Sequence, residues 1–150
     1  MLACSACYGM FMAGSFKAYG MSEAGIKSDV FVTTVGSLGA ATNGLGRPFW
    51  ALLQDRYGFK PVFTVLLLIE ICVACSMPVW QENQWLFLTR VLLSYFTLAG
   101  HFAMFPTVVA TLYGSVIGGY VYSFIFTGFA ISTIIGLAYS HWGLAQYGYS

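Results

Sequence analysis

The chain has 150 residues, of which 59% are hydrophobic and 7% charged, with a net charge of +1 and a mean hydropathy of +0.77. A soluble domain carries about 25% charged residues and could not hide this much apolar surface in so short a chain, whereas a bilayer can. The nearly balanced charge and the lack of a phosphate-cradling or nucleic-acid motif exclude nucleic acid as a partner.

A crossing needs about 20 mostly apolar residues, which yields five candidate transmembrane helices and an all-α, multi-pass membrane protein. The first, over 2–16, is short and runs into a polar connection, 17–29, that holds Lys17, Glu23, Lys27 and Asp29. The second, over 30–53, contains Gly36, Ala40 and Gly44 at a spacing of four, a stripe that lets helix backbones approach in lipid. The third, over 62–77, ends at Pro78, and Trp80 and Trp85 beyond it suit an interfacial belt. The fourth, over 86–112, holds Pro106 as its expected kink, and a fifth follows over 116–140. Two Cys-x-x-Cys pairs, Cys4/Cys7 and Cys72/Cys75, have metal-ligand spacing but lie in apolar runs that an up-down-up arrangement sends to opposite faces. They read as small buried hydrophobes, so neither metal, disulfide nor cofactor is expected. The turn between the second and third spans and the 17–29 connection hold two basic residues each, so charge bias does not orient the chain or name its membrane.

That turn reads Asp55-Arg56-Tyr57-Gly58-Phe59-Lys60. It resembles the signature loop of the major facilitator superfamily of transporters, Gly-x-x-x-Asp-Arg-x-Gly followed by two basic residues. Asp55, Arg56, Gly58 and Lys60 fit, while Ala51 stands at the leading glycine and Phe59 at the first basic position. Three further stretches resemble the branch of oxalate/formate antiporter-like and monocarboxylate carriers. They are residues 28–39 running into Asn43-Gly44-Leu45-Gly46-Arg47, then Gly100-His101-Phe102-Ala103-Met104-Phe105-Pro106-Thr107, then Leu112-Tyr113-Gly114 leading to Tyr122. The resemblance implies helices seven to eleven of a twelve-helix carrier, a partial carboxyl-terminal half whose amino-terminal partner half lies outside this chain. It also implies that Asp55, Arg56, Gly58 and Lys60 form a conformational latch, loosened here by its two departures.

An ionisable group inside the membrane costs at least about 2.5–3.5 kcal/mol at the helix centre unless paired or hydrated. Arg47 and Glu70 lie 11 and 12 residues either side of the signature turn, about 16–18 Å from it along antiparallel helices at 1.5 Å per residue. Two roles compete for Arg47. It could bind a substrate carboxylate, which a guanidinium fork fits well and which the resemblance favours, or it could pair with Glu70 and pin the helices together. Asn43, one turn earlier, is placed to orient Arg47 or to touch substrate. His101, in mid-span, is either a substrate contact that titrates or a neutral ring bonded to a carbonyl freed by the proline. In dicarboxylate-handling relatives a second basic residue stands on the eleventh helix. The fifth span has no charge, and Phe129 lies near that position.

The expected function is transport of a small organic anion, a monocarboxylate by the single-cation argument, with Arg47, Asn43 and His101 binding it. The rival is a non-transporting membrane subunit or scaffold that packs against partner proteins through Gly36, Ala40 and Gly44. No nucleophile–base pair or metal cluster at workable spacing suggests an enzyme.

Overall fold

A computed structural model describes the backbone of residues 2–22, 26, 28–77 and 83–147. The side chains of 2–7, 22, 115, 132, 137 and 139–147 are outside that description, and so is the Cys4/Cys7 expectation. The described residues are helical almost throughout. Helix α1 spans Leu2–Ser22, α2 spans Asp29–Tyr57 and α3 spans Phe59–Ser76. One helical run, Gln84–Tyr147, is broken at Gly114, where φ is 78° and ψ is 167°. Its arms are α4 (Gln84–Gly114) and α5, whose apolar span is Val116–Gly136.

The helix ends follow local chemistry. The Ser28 Oγ accepts from the Phe31 N–H at 3.2 Å, and Asp29 adds a negative charge to the first turn of α2, where the dipole favours it. Asn83 Oδ1 caps α4 by accepting from the Trp85 and Leu86 N–H groups. Between α2 and α3 the six-residue turn contracts to one residue. Gly58 takes φ 83° and ψ 165° while both flanks stay helical, a conformation open to a residue without Cβ. The first span also runs further than expected. α1 continues to Ser22, so Lys17 sits on the helix, and its Nζ reaches Asp29 Oδ1 at 2.8 Å at the mouth of the connection.

α3, α4 and α5 are long and apolar enough to cross a membrane. α1 and α2 do not reach that mark, because serine, threonine, asparagine and glycine dilute their apolar residues, yet both are helical over the expected spans.

α4 is the hub of the bundle. Gly9 and Gly20 of α1 meet Leu98 and Phe87, an antiparallel crossing. α2 runs parallel to α4, with Gly39 against Tyr95 and Gly46 against Ala99 and Phe96. α3 is antiparallel, with Leu66 seated on Gly100 and Phe59 beside Phe105. A Cβ at Gly39 or Gly46 would stand 2.8–2.9 Å from those side chains, so each glycine sets how closely α2 approaches. The close approach to α4 therefore uses a different face of α2 from the expected one, of which Gly36 alone is engaged, against Phe16 of α1. Val32, Val35, Gly39, Gly46, Trp50 and Gln54 are buried at intervals of three, four or seven residues, while Gly44 meets nothing within 4 Å and Ala40 is exposed. Two apolar clusters result. Ile26, Val32, Val35, Phe87 and Val91 close one end, and Trp50, Val62, Leu66, Ala99 and Met104 close the other.

Helical geometry continues through Pro106, so the sharp break falls at Gly114 rather than at the proline. Gly118 then brings α5 back against α4. A Cβ there would meet the Val109 carbonyl oxygen at 3.0 Å.

Candidate functional site

Arg47 lies on α2, exposed in this chain taken alone, and two neighbouring helices shape its surroundings. Its Nη2 donates to Asn43 Oδ1 at 3.2 Å, and Asn43 Nδ2 donates to the Tyr95 carbonyl of α4 at 3.2 Å. Asn43 thus ties α2 to α4 and aims the guanidinium. The Arg47 Cζ sits 5.2 Å from the centroid of the Phe102 ring, and Tyr122 of α5 is within electrostatic reach. Phe126 packs ring to ring with Tyr122, Phe102 and Phe129, and Phe102 also meets Phe129, centroids 5.4–6.0 Å apart. One cation on an aromatic floor is the result. A guanidinium has five N–H donors in a fixed fork, and Asn43 engages one of them, which leaves the fork able to grip a carboxylate.

The alternative role for Arg47, a pair with Glu70, is not formed among the described residues. Glu70 is buried on the face of α3 that meets α4, and its Oε2 lies 3.8 Å from Nε2 of His101. Arg47 is on α2 beside Phe102, the residue after His101, and successive residues on a helix point about 100° apart. Matching depth along the chain did not bring the two charges together, because α4 stands between their sites.

The same geometry revises His101 as a partner of Arg47 and Asn43. The imidazole is 4% exposed and faces α3, flanked by the rings of Phe63 and Phe105. Its Nδ1 lies 2.9 Å from the Thr97 carbonyl oxygen. The carbonyl that Pro106 leaves without its helical donor is that of Phe102, four residues back, so His101 does not serve the proline.

Sequence reading passed over Arg90. It is buried in α4, and its Nη1 donates to the Met77 carbonyl at 3.4 Å, where the Tyr19 hydroxyl of α1 also donates at 3.2 Å. A cation at the last carbonyls of α3 complements that helix end and joins three helices. Arg90, Ser94, Thr97 and His101 recur at intervals of four, three and four and are all buried, so α4 carries a polar seam on its inner face. That spacing was visible in the sequence; which face it occupied was not. Within the seam, Ser94 Oγ bonds the Arg90 carbonyl and Thr97 Oγ1 bonds the Ser94 carbonyl.

Asp55, Arg56, Gly58 and Lys60 stay together at the α2–α3 junction, all exposed. The Arg56 Cζ lies 5.5 Å over the ring of Tyr57, and the Gly58 N–H donates to the Gln54 carbonyl at 2.8 Å. Cys72 and Cys75 are free thiols on the exposed side of α3. Among the described residues no group of three or more His, Cys, Asp or Glu is placed to hold a metal.

Comparison with known proteins agrees with this architecture. The family model of the Major Facilitator Superfamily matches residues 1–150. The apicoplast pyruvate carrier 1 of Toxoplasma gondii is 30% identical over 126 residues, which cover 83% of this chain and 23% of that protein. The oxalate:formate antiporter of Oxalobacter formigenes is 26% identical over 129 residues, 85% of this chain and 30% of that protein. The chain thus spans under a third of the length of these relatives. No solved structure matches it. With a transporter-family match along its whole length and a bundle of apolar helices behind it, this chain is an integral membrane protein of the major facilitator superfamily.

Proposed function

We propose that the chain is part of the carboxyl-terminal half of a carrier for a small organic anion, a monocarboxylate, and that Arg47 holds the carboxylate. The arrangement of Arg47 supports this reading most directly: a guanidinium aimed by Asn43, with unspent donors, over an aromatic floor. A fork of this kind grips one carboxylate in two parallel bonds, and the rings of Phe102, Phe126 and Tyr122 suit a short apolar remainder. α5 contributes aromatic residues and no second cation, which fits a monoanion better than a dianion. The similarity to a pyruvate carrier and an oxalate:formate antiporter favours this substrate class.

A facilitator alternates access by rocking two halves about a site between them, so the complementary half is the partner this reading requires. Asp55, Arg56, Gly58 and Lys60 serve as the latch at the α2–α3 junction. The chemistry is transport and not catalysis. The scaffold alternative has less support, because Gly36 is occupied by Phe16 of the same chain and only Ala40 and Gly44 stay open.

The test is uptake of radiolabelled pyruvate, formate, lactate and oxalate by the natural protein in proteoliposomes. Monocarboxylate transport that Arg47→Lys abolishes is the expected result. Oxalate exchanged as readily as formate would defeat the single-cation argument, and normal uptake by Arg47→Lys would defeat the assignment of the site.

A further inference from the structure

α5 brings more than aromatic rings to the surroundings of Arg47. Tyr122 stands six residues into the Val116–Gly136 span, about 9 Å along the helix and below the interfacial belt where water would serve a phenol. Its ring is half-buried against Phe126, with centroids 5.4 Å apart, and Phe126 meets Phe102, the ring beneath Arg47. Tyr122, Phe126 and Phe129 recur at intervals of four and three, so they share the face of α5 that meets Phe102.

Other hydroxyls on these helices keep their hydrogens within their own helix. Thr42 of α2, Thr107 of α4 and Ser123 and Thr127 of α5 each donate to the carbonyl one turn back, at 2.8–3.1 Å. No hydrogen bond joins the Tyr122 hydroxyl to another described residue. Arg47 is within electrostatic reach of it, but a guanidinium only donates and offers the phenolic hydrogen no acceptor. Asn43 Oδ1, the side-chain acceptor beside Arg47, already serves that guanidinium.

Donors from two helices thus stand near each other with no acceptor of their own: the unspent N–H groups of Arg47 and the O–H of Tyr122. At this depth in a bilayer such hydrogens need a partner. A carboxylate supplies it. Each of its oxygens has two lone pairs, so a fork from Arg47 leaves a place on each oxygen for a further donor.

We propose that the Tyr122 hydroxyl donates a third hydrogen bond to the carboxylate gripped by Arg47, so that the anion bridges α2 and α5. This deepens the carrier reading and rests on it. The charges balance for a monoanion: Arg47 cancels it, and the phenol strengthens the grip without adding a charge that the membrane penalises. Residues 116–136 of α5 include no charged side chain, so the donor this helix contributes is a neutral one. Because the hydroxyl meets the carboxylate itself, it acts alike on every monocarboxylate, whatever the rest of the molecule.

The experiment is formate and pyruvate exchange by the natural full-length protein in proteoliposomes, wild type against Tyr122→Phe and Arg47→Lys. Formate has no carbon beyond its carboxylate, so packing on the rings does not enter. Tyr122→Phe keeps the ring on Phe126 and is expected to raise KM about tenfold or more for both anions, with the thermal midpoint in detergent unchanged. An unchanged KM overturns the assignment, and so does a rise confined to pyruvate, which puts the hydroxyl on the oxo oxygen instead. A midpoint that falls together with affinity marks a packing residue and overturns it as well. Should Tyr122→Phe not fold, fluorotyrosine in place of Tyr122 decides. It has nearly the same shape and donates more strongly, so KM falls below the wild-type value while the phenol is protonated, and an equal KM overturns the proposal. Normal kinetics in Tyr122→Phe beside an inactive Arg47→Lys defeat this bond alone. A wild-type protein that exchanges neither anion defeats the carrier reading for them, and the bond with it.

Discussion

Arg47 and Glu70 sit at nearly the same distance from the α2–α3 junction, yet their surroundings are opposite. Glu70 is sealed at the α3–α4 interface opposite His101. Arg47 stands on an open face with one donor spent on Asn43 and an aromatic ring beneath it. Closure leaves no room for an organic ligand at the first site, whereas the second is open to one of several atoms. The difference comes from α4, whose inner face supplies His101 to one side while the next residue, Phe102, supplies the floor of the other.

Breaking the open site is expected to have the largest effect. Arg47→Ala removes a charge-assisted, bidentate grip worth about 3–4 kcal/mol, so anion affinity falls by about 100-fold or more while the bundle, which does not bury this side chain, keeps its melting temperature. A joint loss of folding and binding would show that Arg47 is structural. On the packing side, Gly100 lies under Leu66 and Trp50, where any side chain must displace its neighbours. Gly100→Val overpacks the α3–α4 interface and lowers stability by about 1–3 kcal/mol, read as the thermal midpoint in detergent. An unchanged midpoint would mean that α3 can slide away from α4, and with it Glu70 from His101.

A smaller effect belongs to the junction. Gly58→Ala must hold an L-residue at φ 83°, at a cost of about 1–2 kcal/mol, although no neighbouring atom obstructs the added methyl. If Asp55–Lys60 forms a latch, transport by this variant slows more than its melting temperature falls, and parallel losses would argue against the latch. Beneath the cation, Phe102→Leu removes a contact of about 0.5–1 kcal/mol and weakens anion affinity about two- to fivefold. The smallest change sharpens the choice between carrier and scaffold. Gly44→Ala meets open space in a helix interior and leaves stability unchanged or raises it by up to about 1 kcal/mol. Loss of a co-purifying membrane partner in that variant would revive the scaffold reading.

Membership of the bilayer, the helical class, the family and the identity of Arg47, Glu70 and His101 as residues to explain were all legible from composition, span length and motif. The junction at Gly58 was legible as a turn, though not its contraction to one residue. The choice of packing face on α2 was not. Gly36, Ala40 and Gly44 and Val32, Val35, Gly39, Gly46 and Trp50 both follow helical spacing, and only the position of α4 decided between them.

What the sequence by itself determined is the set of helices, because hydropathy and backbone hydrogen bonding in lipid leave a chain of this composition little else. What tertiary structure alone decided is which charge meets which. Depth along a helix can be counted in residues at 1.5 Å each, but azimuth depends on how the helices rotate and cross in packing. Glu70 faces the imidazole of His101, and Arg47 stands apart from both on an exposed face, because α4 lies between them.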